Sequence, residues 1–166
     1  MRNIHLFLLL LLCAQISFTS FAQVKPLAII VDKPYVRASI PGSNISSAYM
    51  KITNKDEKTV TLLGASSNIS PRVEIHQHTM VGDLMRMRKL DAVIIKANEQ
   101  IILQPSGLHF MLFDVKKPLK PQQEVELTLR FSDKKTVTIK MPVYSFKQEK
   151  SAQVADEQLS TMQHHH

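Results

Sequence analysis

Glu124-Val125-Glu126-Leu127-Thr128-Leu129-Arg130-Phe131 puts Val125, Leu127, Leu129 and Phe131 on one side of an extended chain. Glu124, Glu126, Thr128 and Arg130 fall on the other. Side chains alternate across a strand, so this period of two marks an antiparallel strand with one face on a core. The same pattern recurs outward from that stretch. Short apolar runs rich in β-branched residues occupy Leu27 to Val31, Ala48 to Thr53, Thr59 to Leu63, Val73 to His76, Val93 to Ile95 and Thr136 to Val143. Turn formers separate them: Pro41-Gly42, Asn54-Lys55-Asp56, Gly82-Asp83, Pro105-Ser106-Gly107, and Pro118 with Pro121. No stretch reads as a convincing helix and no segment repeats. The pattern predicts an all-β domain, a sandwich or Greek-key barrel.

The two ends of the chain read differently. Arg2, the leucine-rich run from Leu6 to Leu12 and the small-residue ending Ser20-Phe21-Ala22 have the layout of a secretory signal peptide over residues 1–22. Lipidation at Cys13 would need a small residue before it, and Leu12 stands there. Cleavage after Ala22 leaves 144 of the 166 residues, starting at Gln23, and no membrane span. Residues 23–143 then form one domain of sufficient size for a core. Residues 144–166 turn polar and read as a flexible tail ending in Met162, His164, His165 and His166. The expected location is the periplasm.

Loss of the signal removes Cys13, the single cysteine. That excludes a thiolate nucleophile, a zinc-thiolate site and a blue-copper centre. Net charge falls from +7 to +6 as Arg2 leaves. The basic residues are interspersed with acids and lack aromatic neighbours, so a nucleic-acid surface is not expected. No Ser-His-Asp arrangement, paired acidic motif or nucleotide loop is present, and no enzyme activity is expected.

Methionine is the uneven residue. Met80, Met85, Met87 and Met111 share a short span with His76, His78 and His109. Methionine often fills gaps in cores, and that reading suits Met50 and Met141, while Met80 near a turn suits a surface. Alternation argues otherwise for the rest. Val73 and Ile75 take the apolar face of their strand, which turns His76 away from it. Leu108, Phe110 and Leu112 do the same for His109 and Met111. Thioether sulfur is soft, favours Cu(I) and suits zinc, magnesium or calcium poorly; imidazole adds affinity and also holds Cu(II).

The spacing His76-x10-Met87-x21-His109-x-Met111 resembles the signature of the periplasmic copper chaperones called PCu(A)C. The likeness extends to Tyr35-Val36-Arg37-Ala38, Pro41-Gly42, Ala48-Tyr49-Met50, Val73-Glu74-Ile75-His76, Met85-Arg86-Met87-Arg88 and Leu103 to Leu112. It implies a cupredoxin-like β-sandwich, monomeric, holding Cu(I) at His76, Met87, His109 and Met111. It also implies delivery to apo-proteins, with the copper centres of cytochrome c oxidase subunits as recipients. A copper storage or resistance protein would need the same site, and a sandwich serving only protein contacts would need none. Ser106 replaces a glycine usual in the family, which a serine tolerates at negative φ.

Two finer expectations follow. A Val81-Gly82 turn would pair His76 with Met87 and His78 with Met85, so His78 and Met85 form a rival pair. The terminal Met162 and His164 to His166 repeat the ligand types of the central cluster, and a Cu(II) site there is the corresponding expectation for the tail.

Overall fold

The computed structural model of the chain describes residues 28–163. The segment read as a signal peptide, its expected cleavage site and the terminal histidines lie outside them. Ten strands follow in order: β1 (Ile29–Arg37), β2 (Ser46–Asn54), β3 (Val60–Ser66), β4 (Arg72–Val81), β5 (Leu84–Leu90), β6 (Val93–Ile95), β7 (Gln100–Leu103), β8 (Leu108–Phe113), β9 (Glu124–Phe131) and β10 (Thr136–Tyr144). Among the described residues there is one α-helix, α1 (Phe146–Gln163), and a short 3-10 turn at Ser132–Lys134.

The pairing order is β5-β4-β8-β7-β2-β1-β10-β9-β3-β6, with β8 also pairing β2. The β5-to-β1 portion makes one sheet and β10-β9-β3-β6 the other, joined where β1 and β10 run parallel through Val36 and Val143. Their facing sides close one core. Val36, Ala48, Met50, Ile52, Ile75, Phe110 and Leu112 come from the first sheet, and Leu62, Ile95, Leu127, Leu129, Phe131 and Met141 from the second. The all-β sandwich expected from the alternation is the fold observed. In β9 all four apolar residues are buried, as period two requires. Met50 and Met141 are core residues and Met80 is exposed, in agreement with their sequence context.

β5 lies at a sheet edge with Leu84 to Lys89 exposed. Arg86, Arg88 and Lys89 discourage further strand addition there.

Three expectations need correction. First, α1 occupies most of the segment read as a flexible tail. A reciprocal cap starts it, with the Ser145 N–H donating to Gln148 Oε1 at 2.9 Å and Ser145 Oγ lying 3.4 Å from the Gln148 N–H. Glu149 anchors the first turn by a two-pronged ion pair to Arg37 of β1, its Oε2 accepting from Arg37 Nε at 2.7 Å. Second, Ser106 has φ +61°, not the negative value that a serine prefers. Third, the β4–β5 turn is Gly82-Asp83, closed by the Val81–Leu84 pair. Gly82 carries φ +61°, open to glycine but strained for a β-branched valine, so the turn lies one residue later than Val81-Gly82.

Candidate metal centre

The centre is built on the outer face of the first sheet, away from the core between the sheets. Alternation in β4 sends Val73 and Ile75 inward and leaves Glu74, His76 and His78 outside. β8 packs Phe110 and Leu112 inward and leaves His109 and Met111 beside β4. The registers place His76 opposite His109 and Glu74 opposite Met111. On the other side of β4, His78 lies opposite Met87 and His76 opposite Lys89.

The four expected ligands, His76, Met87, His109 and Met111, thus share one face of three neighbouring strands. The expected His76–Met87 opposition does not occur. Moving the turn by one residue moves the pairing by two, which preserves each side chain's face but changes its opposite number. Met87 faces His78, and Met85 faces Met80.

His109 and His76 are oriented by different devices. His109 Nδ1 lies 2.9 Å from the Gly107 carbonyl oxygen. A carbonyl only accepts, so Nδ1 carries the proton and Nε2 keeps the lone pair. His76 Nε2 lies 2.9 Å from Glu74 Oε2. A donor at Nε2 leaves the lone pair of the neutral ring on Nδ1, and that nitrogen is buried without a hydrogen-bond partner. His78 Nδ1 is also buried and unpartnered. Leaving such an atom unsatisfied costs about 1–3 kcal/mol, a penalty that a bound metal would remove. Carboxylate-to-histidine bonds of the Glu74 type commonly hold a ligating ring in orientation.

Electrostatics keep these roles distinct. Burial pushes the His109 pKa down, with His78, His76 and Arg37 adding to the effect against the bond to Gly107. The neutral, metal-binding form is favoured. Glu74 is held down at about 2, first by its bond to His76 and then by Lys89 and Arg72. Lys89 Nζ and Arg72 Nη1 donate to its Oε1 at 3.1 and 3.2 Å.

Exposure is graded across the face. His109 is 3% exposed, whereas Met87 at the edge strand is 48% exposed. Tyr49 packs on His109 with ring centroids 6.3 Å apart, and Arg37 sits over the Tyr49 ring at 5.4 Å. Imidazole nitrogen and thioether sulfur together suit copper and offer little to hard cations. Among the described residues, no three His, Cys, Asp or Glu side chains already stand gathered as a metal site. Thioethers on the same face add donors to the imidazoles.

A family model described as "Putative lipoprotein LpqE-like" matches residues 29–143. The chain belongs to the LpqE-like family. "Putative lipoprotein Lxx21020" of Leifsonia xyli subsp. xyli (strain CTCB07) is 31% identical over 117 residues, 70% of this chain and 69% of that protein. Among solved structures, the copper-bound PCuAC domain from PmoF2 shares the fold at TM-score 0.62 and 24% identity, covering 73% of this chain and 97% of that one. The CuI form of DR1885 from Deinococcus radiodurans matches at TM-score 0.58 and 29% identity, covering 75% and 82%. The PCu(A)C kinship read from the residues is borne out.

In this LpqE-like chain the family match ends at 143, so α1 lies beyond it. Sequence reasoning passed over Glu74, although its place two residues before His76 on the same face was a usable signal. The Arg37–Tyr49 support carries no such signal, since strands distant in sequence bring it to His109, and the local Gly107 carbonyl is a backbone group that no residue type announces. Residues 164–166 lie outside the described structure, and the side chain of Met162 is not described either. Among the described residues no helix is long and apolar enough to cross a membrane.

Proposed function

We propose that the chain is a periplasmic copper chaperone that binds one Cu(I) through His76, Met87, His109 and Met111 and passes it to apo copper proteins. The observation carrying this reading is the two thioethers and two oriented imidazoles on one face, with the buried His76 Nδ1 lacking any partner. The chemistry of the donors favours Cu(I). Likeness to the CuI form of DR1885 supports the same metal.

The graded exposure suits transfer. A recipient's ligand can displace Met87 at the rim while His109 still holds the ion from the buried side, so copper need never be free in solution. No step requires an acid, a base or a nucleophile, and the protein acts without catalysis, as a monomer. Cytochrome c oxidase copper subunits are the proposed recipients, reached after signal removal at Ala22.

The test is anaerobic titration of the mature chain with Cu(I) against a competing chelator, followed by mixing with an apo copper fragment of cytochrome c oxidase. The expected result is one tightly held Cu(I) per chain that moves to the fragment. Copper retained against a stronger-binding recipient would identify a storage protein. No Cu(I) uptake would identify a sandwich that serves only protein contacts.

A further inference from the structure

Three imidazoles, not two, line the outer face of β4 and β8, and the third has the better claim to proximity. His78 and His109 have ring centroids 5.1 Å apart, against 6.1 Å for His76 and His109. An ion about 2.0–2.1 Å from a ring nitrogen lies roughly 3 Å from that ring's centre, so two rings on one ion stand about 5–6 Å apart. Both pairs fall in that range.

Three further observations converge on His78. It is the residue directly opposite Met87, the thioether at the open rim. Its Nδ1 is buried and has no hydrogen-bond partner. Its backbone N–H donates to the Gly107 carbonyl at 3.2 Å, the same oxygen that faces His109 Nδ1. One carbonyl therefore ties the His78 backbone to the orientation of the His109 ring.

We propose that His78 is a copper ligand, and that with His76 and His109 it forms a three-imidazole set by which the same site holds Cu(II). This rests on the proposed copper site but assigns it a second ligand set. Thioethers suit Cu(I), whereas nitrogen donors suit Cu(II). A face carrying both offers two thioethers and two imidazoles to one oxidation state and three imidazoles to the other. The exposed Met87 is then the ligand released when Cu(II) is bound. The rings are not gathered around one point beforehand, so the set closes by side-chain rotation at His78 and His76, while Gly107 keeps His109 fixed.

The experiment uses the mature full-length chain carrying His164→Ala, His165→Ala and His166→Ala, so that terminal histidines cannot report. It is loaded with one equivalent of Cu(II), and pulsed electron paramagnetic resonance counts the coordinated imidazoles. Cu(II) and anaerobic Cu(I) affinities are measured by chelator competition for this chain and for His78→Ala and His78→Gln. Far-UV circular dichroism checks each fold. Three imidazoles are expected in the parent and two in either variant, with Cu(II) affinity lowered about 100-fold and Cu(I) affinity lowered at least tenfold less. An unchanged imidazole count or Cu(II) affinity in both variants overturns the proposal. Equal losses for the two oxidation states also overturn it, since His78 would then serve no distinct set. A parent chain that takes up Cu(II) with three imidazoles but no Cu(I) would sink the chaperone reading and leave this assignment standing.

Discussion

His109 shows how a single hydrogen bond selects chemistry. The Gly107 carbonyl fixes its proton on Nδ1, and burial depresses its pKa from 6.5. The unfolded chain therefore takes up the proton first as pH falls past 6.5, and the folded apo protein loses stability on acidification through that point. Glu74, held at about 2, works with the same sign at lower pH: its contribution is complete above 4.5 and lost as pH falls towards 2. The interval from pH 7 to 5 thus reports on His109 with little contribution from Glu74. Urea midpoints of the apo chain should fall across it, and His109→Gln should flatten that fall. Ser106 is a second residue where the backbone decides. At φ +61° a serine gives up about 1–2 kcal/mol that glycine does not. Glycine's greater chain entropy returns roughly 0.5–1 kcal/mol of that. Ser106→Gly should therefore stabilise by about 0.5–1 kcal/mol, seen as a higher urea midpoint at unchanged slope.

Among the elements, the β4–β5 hairpin and α1 mark the limits of reading from sequence. The strands themselves were legible because one face of each must be apolar, as Val125 to Phe131 and Val73 to Ile75 show. The hairpin register was not. It depends on which residue accepts a positive φ, and Val81, Gly82 and Asp83 stand in a row. Because the shift was an even number of residues, the face of His76 and Met87 was predicted correctly although their partners were not. Gly82→Val should cost about 1–2 kcal/mol through backbone strain alone, as the space beside Gly82 is open. The helix went unseen because it has no apolar stripe; its signals were the Ser145-to-Gln148 cap and one distant ion pair. Glu149 is 3% exposed. Glu149→Ala removes charge-assisted bonds worth about 1.5–3 kcal/mol and should lower thermal stability with a loss of helical circular dichroism.

Across the whole molecule the core and the site are separate layers of one sheet. Phe110 and Leu112 point into the sandwich while His109 and Met111, one residue away from each, lie on the outer face. Core damage and ligand damage can therefore be told apart. Phe110→Ala should cost about 3–5 kcal/mol, whereas Met87→Leu, conservative in volume and exposed, should leave the fold intact and weaken Cu(I) binding severely. His76→Ala should do likewise. The candidate ligand types were legible because alternation left soft donors on a face that packing did not claim, whereas the Tyr49 and Arg37 support was not, because it comes from strands far apart in the chain. Copper K-edge X-ray absorption on the Cu(I)-loaded chain tests the central claim most directly. The account predicts a copper shell of two sulfur and two imidazole nitrogen scatterers, with one sulfur missing in Met87→Leu. A shell without sulfur, or one unchanged by that substitution, would contradict it.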